Sequence, residues 1–309
     1  MDLLTEVHPL SSAPCRARKE LQLMELLLGG KDPFLKRLKS AAEKGDGEAA
    51  SQLGTMYYAG NQVRQDLDEA ARWYTLAAEH GCMYMPLLLY EQLQKNAPEE
   101  SLRWLRIPAA QNDPLSCRIL GMRYYHGEAV EQNYGEAANL FRIAAKQGDL
   151  DATSYLGGMY LEGVGVEQNY IEAAKLYRTA AEQGDPSSAY NYALMLQHGH
   201  GLSRSIPGAI KWYRAAASRG HAQAAFHLAQ IYEDGEDVAR DHNEVIHWLR
   251  TAADLGHVRA ALYLGIIHRL GHGVERDDTL ARKYLGQAAD SGDEDARRLM
   301  EDFGFSPKI

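Results

Sequence analysis

The stretch from Gly148 to Gly184 reads GDLDATSYLGGMYLEGVGVEQNYIEAAKLYRTAAEQG, and beyond Gly184 the chain largely begins it again. Its closing signature, Ala180-Ala181-Glu182-Gln183-Gly184, recurs as Ala216-Ala217…Gly220, Ala252-Ala253…Gly256 and Ala288-Ala289…Gly292, each a step of 36 residues. The same signature precedes it at Ala144-Ala145…Gly148, Ala77-Ala78…Gly81 and Ala41-Ala42…Gly45. Self-similarity at a fixed period of this size marks a solenoid, in which each unit buries its apolar face only against its neighbours. The sequence therefore predicts an all-α solenoid of about eight helix-turn-helix repeats.

A repeat array grows in one dimension, so the 309 residues need not divide into two globular domains. Hydrophobic residues make up 45% of the chain, enough for a continuous core, and charged residues an ordinary 24%. The net charge of −9 argues against nucleic acid and anionic membrane surfaces, both of which call for a basic stripe. The three cysteines, Cys15, Cys82 and Cys117, do not follow the repeat, which reads as reduced thiols rather than a disulfide framework. The first 30 residues carry Asp2 and Glu6 ahead of any apolar run, unlike a signal peptide, and no later segment has the length of a membrane span. A cytoplasmic, monomeric protein is expected.

Residues 1–15 are expected to be irregular, and residues 16–45 to form an opening helical unit. Leu21, Met24 and Leu28 lie on one face of its first helix, and Asp32-Pro33 reads as the N-cap and first residue of its second. The repeat array then covers residues 46–303. The first helix of a unit starts after Asp46, Asp113, Asp149, Asp185 or Asp293, carries Leu-Gly/Ala-x-x-Tyr, and stops at Gly60, Gly127, Gly163, Gly199, Gly235 or Gly271. Mid-helix Gly54, Gly121, Gly157 and Gly265 each cost about 1 kcal/mol against alanine, which predicts the close approach of another backbone. The second helix starts near Asp68, Gly135, Ile171, Pro207, Asn243 or Thr279. It carries an aromatic pair such as Trp73-Tyr74 or Trp212-Tyr213 on its inner face. The unit over 81–112 is shortened: Asn96 stands in place of a loop glycine, and Pro108 is expected to kink or break its second helix, bending the solenoid there. Residues 293–303 read as a polar capping helix and 304–309 as a frayed tail.

Taken together, Leu-Gly-x-x-Tyr, the loops Gly163-Val164-Gly165-Val166 and Gly271-His272-Gly273-Val274, Glu-Ala-Ala, the aromatic pair and Ala-Ala-x-x-Gly resemble the Sel-one-like repeat. That family is a tetratricopeptide-related α/α repeat, and the resemblance covers residues 31–303. It implies a right-handed superhelical scaffold that binds other proteins, often in bacterial signalling, envelope or secretion systems, and it supplies no catalytic residues. One branch with cysteine pairs in every repeat is linked to β-lactam binding; this chain lacks those cysteines.

A solenoid binds through side chains that differ from unit to unit. Counted from the glycine ahead of each first helix, positions five, nine, twelve and thirteen fall on one face and are expected in the core. Positions four, eight, eleven and fifteen form a second stripe. It reads Glu48-Gln52-Thr55-Ala59, Leu115-Ile119-Met122-His126, Asp151-Tyr155-Gly158-Glu162, Ser187-Asn191-Leu194-His198, Gln223-His227-Gln230-Asp234 and Arg259-Tyr263-Ile266-Leu270. The candidate partner-binding residues are Ile119, Met122, His126, Tyr155, Glu162, Asn191, His198, His227, Gln230, Asp234, Arg259 and Tyr263, on a concave face that would take a protein or peptide. Nine of the twelve histidines lie at or beyond His198, without the convergent spacing of a metal site, and read as exposed helix-start and loop residues. No nucleophile elbow or phosphate loop occurs, so no enzyme, cofactor or metal is expected. The expected function is an interaction scaffold or adaptor. The alternatives are a dedicated inhibitor or immunity-type partner of a secreted toxin and, against the missing cysteines, a β-lactamase-like enzyme.

Overall fold

A computed structural model describes residues 31–305, and among these every regular element is a helix. The helix read over 16–28 lies outside the described residues. The opening helix α1 (Lys31–Glu43) begins two residues ahead of the expected Pro33 start. First helices of the units follow as α2 (Gly47–Ala59), α4 (Tyr84–Leu93), α6 (Pro114–His126), α8 (Leu150–Glu162), α10 (Pro186–His198), α12 (Ala222–Asp234), α14 (Val258–Leu270) and α16 (Glu294–Asp302). Second helices alternate with them as α3 (Leu67–Glu79), α5 (Pro98–Ala110), α7 (Tyr134–Lys146), α9 (Tyr170–Glu182), α11 (Ile206–Ala217), α13 (His242–Asp254) and α15 (Asp278–Asp290). The chain is an all-α repeat solenoid. It divides after Gln111 into two compact units, 1–111 and 112–309, a boundary at the end of the short repeat.

The termini of these helices follow from local chemistry. Asp46, Asp113, Asp149, Asp185 and Asp293 cap their first helices, each carboxylate accepting from a first-turn N–H. His221 and His257 stand at the same place, where Nδ1 accepts from the N–H of Ala224 and of Ala260 at 3.2 Å. Second helices start one residue earlier than the sequence suggests, behind the caps Asp66, Asn133, Asn169, Ser205, Asp241 and Asp277. Between the two helices the C-cap glycine turns left-handed, with φ of 74° at Gly163, and in the loops after Gly60, Gly127 and Gly163 a glutamine five residues on closes the loop, a place that Arg204 takes after Gly199. Gln168 Nε2 donates to Leu161 O at 2.9 Å, and Gln132 does the same to Tyr125 O.

The core runs between the helices of each pair. In the first helices the buried positions include Ala49, Ala50, Leu53 and Gly54 in α2 and Ala260, Ala261, Leu264, Gly265 and His268 in α14. Position thirteen is thus buried as His268 but only half-buried as Tyr57, and position twelve, Met56 or Ile267, is half-buried in both. From the second helix comes the latter member of the aromatic pair: Tyr74, Phe141, Tyr177, Tyr213 or Leu285. At Gly54, Gly121 and Gly157 it is this side chain, not a backbone, that explains the mid-helix glycine. A Cβ on Gly54 would lie 2.5 Å from Tyr74 Cδ1, and one on Gly121 2.8 Å from Phe141 Cε1. At Gly265 the intruder is Leu285, its side chain at 2.5 Å and its backbone N at 3.1 Å.

Consecutive repeats meet through the loops as well. The second loop glycines, Gly165, Gly201 and Gly273, sit against the first residues of preceding second helices, Tyr134, Tyr170 and His242. In the short unit Pro108 does not break α5, which continues to Ala110. The tail is not frayed at Phe305, which is 4% exposed beneath the guanidinium groups of Arg269 and Arg282, at 5.6 and 5.1 Å from its ring centre.

Candidate functional site

In the unit 112–309 the structure gathers part of the sequence-derived stripe into two hollows. The larger, of about 380 Å³, is lined by Tyr125 of α6, by Asp151, Ser154, Tyr155, Gly158 and Glu162 of α8, by Tyr177 of α9, and by Asp185 and Ser187 at the start of α10. Tyr155 is held from beneath by Phe141, ring on ring at 5.2 Å, and Tyr125 leans toward it at 6.2 Å. Helical spacing brings Asp151, Tyr155, Gly158 and Glu162 to one face of α8, as the sequence indicates. The tyrosines from α6 and α9 were not on the predicted stripe. Tyr177 belongs to an aromatic pair and reads as core; the signal that it opens to a cavity is the second glycine of Gly157-Gly158.

This hollow is acidic. Asp151 is partly neutralised by Arg118, at 3.4 Å, while Arg118 also bonds Asp149 at 2.9 Å. Among the described residues Glu162 and Asp185 make no ion pair. Burial pushes the phenols of Tyr125 and Tyr177 above their ordinary range, and the nearby Glu162 charge adds to the shift, so both stay protonated.

The smaller hollow, about 270 Å³, joins His198 and Gln197 of α10 to Arg204, Ile206, Ile231 and Asp234 and to the loop acids Glu236 and Asp237. Thus His198 and Asp234 line the same hollow. The remaining candidates are spread along the same helices. Ile119, Met122 and Asn191 are half-buried, and His126, Gln230 and Arg259 are exposed. Tyr263 is 45% exposed and lies over Phe226 at 5.8 Å. His227 is instead drawn into packing between units: its ring lies on Tyr213 at 5.6 Å and Nε2 meets the Tyr190 hydroxyl at 3.0 Å.

The expectation of exposed histidines fails at several places. His268 is 4% exposed, with neither ring nitrogen hydrogen-bonded, and stacks at 6.0 Å on Tyr284. His221 and His257 are half-buried caps stacked on Tyr190 and Phe226. Among the described residues no three His, Cys, Asp or Glu side chains converge as a metal site would require, and no helix is long and apolar enough to cross a membrane. Burial pushes the Cys117 thiol up to about 11, away from the range of an activated nucleophile.

The Sel1 repeat model matches residues 47–82, 114–149, 150–185, 186–221, 222–257 and 258–293, which together make up most of the chain. The chain belongs to the Sel1 repeat family. Among solved structures, this Sel1 repeat array is similar to c5321, a protective antigen present in uropathogenic Escherichia coli strains and displaying an SLR fold. That likeness has a TM-score of 0.65 and 29% identity, and covers 85% of this chain and 57% of the other. It is also similar to a Sel1 repeat protein from Oxalobacter formigenes, with a TM-score of 0.54 and 26% identity over 83% of this chain and 99% of that one. An uncharacterized protein of Neisseria meningitidis serogroup B is 33% identical over 96 residues, or 31% of this chain. The match spans only 20% of that curated relative's length. The matched repeats skip the short unit, where the loop glycine is absent.

Proposed function

We propose that this Sel1 repeat chain is a non-enzymatic interaction scaffold that binds a partner protein or peptide through the exposed stripe of its first helices between α6 and α14. The observation that carries this reading is the hollow around Tyr155. There a rigidly backed aromatic ring, two further phenols and three carboxylates face a cavity that lies within the size range of ligand sites. Aromatic side chains held in place by the core are the kind of anchor that dominates interface energies, because little rotamer freedom remains to be lost on binding. Tyr263 supplies a second anchor farther along the array. The scaffold would act as a monomer in the cytoplasm.

The test is affinity capture from the source cell's lysate with the wild-type chain and a Tyr155→Glu/Tyr263→Glu variant of unchanged helical circular dichroism. Proteins retained by the wild type and lost from the variant are the expected result. Partners held equally by both would move the site off this stripe.

A further inference from the structure

Three second-helix tyrosines occupy the same place in their repeats, packed into the face of the preceding first helix: Tyr74, Tyr177 and Tyr213. A buried phenol requires a hydrogen-bond partner, and exceptions call for an explanation. Tyr74 has one in Thr55, hydroxyl to hydroxyl at 3.1 Å, and Tyr213 donates to Gln197 Oε1 at 2.7 Å. Tyr177 is 3% exposed, yet its hydroxyl has no partner among the described residues. The position equivalent to Thr55 is Gly158, where an added Cβ would stand 3.3 Å from the Tyr177 hydroxyl. With no side chain there, the hydroxyl opens into the hollow it helps to line. The repeat thus lacks both the atom that would satisfy Tyr177 and the bulk that would fill the cavity.

We propose that this vacancy is a socket for an arginine side chain carried on a basic segment of the partner protein. The inference rests on the scaffold reading above and adds the chemistry of the partner. A guanidinium group offers five N–H donors in a planar fork and stacks on aromatic rings, so it suits acceptors spread around a cavity wall rather than gathered at a point. The wall supplies such acceptors: the carboxylates of Glu162 and of Asp185, neither ion-paired among the described residues and the latter with one oxygen also capping α10, and the hydroxyl of Tyr177. Tyr155 supplies the ring face, fixed from behind by Phe141. Because burial keeps Tyr177 protonated, its oxygen is a neutral acceptor and adds no charge of its own. A lysine ammonium is a compact, strongly hydrated point charge with no planar face to lie on the Tyr155 ring. Among the described residues the only cation within ion-pair distance of a cavity carboxylate is Arg118, and it is already shared between Asp149 and Asp151.

The experiment is calorimetric titration of the whole protein with amidated hexa-arginine, and with hexa-lysine for comparison. The variants are Glu162→Gln, which removes the charge, and Gly158→Thr, which restores the hydroxyl that Thr55 provides elsewhere. Hexa-arginine is expected to bind at least tenfold more tightly than hexa-lysine. Each variant should weaken it about tenfold, while Glu131→Gln/Glu167→Gln, at exposed loop acids, leaves it unchanged. Hexa-arginine binding that is absent, no stronger than hexa-lysine, or indifferent to both socket variants overturns the proposal, the last meaning diffuse attraction to an acidic chain. The two readings fail separately. A captured partner that is lost from the Tyr155→Glu/Tyr263→Glu variant but not displaced by hexa-arginine leaves the scaffold reading intact and removes the arginine socket.

Discussion

At His221 and His257 an imidazole does the work that Asp149 and Asp185 do in other repeats, and it can do so only while Nδ1 carries no proton. Burial lowers the pKa of His221, His227, His257 and His268 below the ordinary value, and a positive ring at a helix N-terminus would also oppose the macrodipole. The folded rings therefore stay neutral where the unfolded ones, titrating near ~6.5, take up protons. Stability is full above that value and falls as the pH drops below it toward the folded pKa values. We expect the melting temperature to fall between pH 7 and pH 5, and a His221→Asp/His257→Asp variant to show a shallower fall. An equal fall in both would remove these two caps from the account. The caps also show where sequence reading reached its limit. The repeat register placed both histidines at helix starts, but their ring stacking on Tyr190 and Phe226 depends on neighbouring repeats, which no local spacing reveals.

Single helices were the most legible objects in the sequence, because caps, Ala-Ala-x-x-Gly ends and aromatic pairs recur in register. Their boundaries missed by one residue at the second helices, where the capping side chain precedes the first apolar residue. The mid-helix glycines need an explanation, and the intruding group is a ring at Gly54, Gly121 and Gly157, whereas at Gly265 both the side chain and the backbone N of Leu285 come close. That difference decides the effect of substitution. Gly54→Ala gains about 1 kcal/mol of helix propensity but drives a methyl group into the fully buried ring of Tyr74, an overpacking that typically costs ~1–3 kcal/mol. Gly286 lies in α15 with nothing within 4 Å of an added Cβ, so Gly286→Ala should stabilise by about 0.5–1 kcal/mol. Urea midpoints should thus move in opposite directions for the two variants, and a shared direction would contradict the ring contact. The candidate site was half legible at this scale. Tyr155 and Glu162 follow from spacing along α8, whereas Tyr177 comes from a neighbouring helix and shows its hydroxyl only because Gly158 lacks a side chain.

At the scale of the whole chain, stability in a solenoid is a sum over units and the joints between them. The cluster of buried side chains from Ala181 to Phe305 is continuous, and a separate one runs from Leu38 to Ala77. With the boundary of compact units at Gln111, a fragment of residues 112–309 should fold alone, with helical circular dichroism and a cooperative melt. A fragment that stays unfolded would mean that the first unit is required as a template. The joints have a consequence of another kind. Gly165 and Gly201 each seat against the first turn of a preceding second helix, and Gly273 repeats the arrangement on His242. These three joints use parts that recur in the repeats carrying the second loop glycine, so a gene encoding this chain can gain or lose a whole repeat of that kind in one recombination event and still specify matched surfaces. Inserting a single codon within a loop lacks that property, because it shifts the glycine off its seat and leaves everything downstream misregistered. The lineage of such an array is accordingly free to change in length by repeats and constrained against changes by residues.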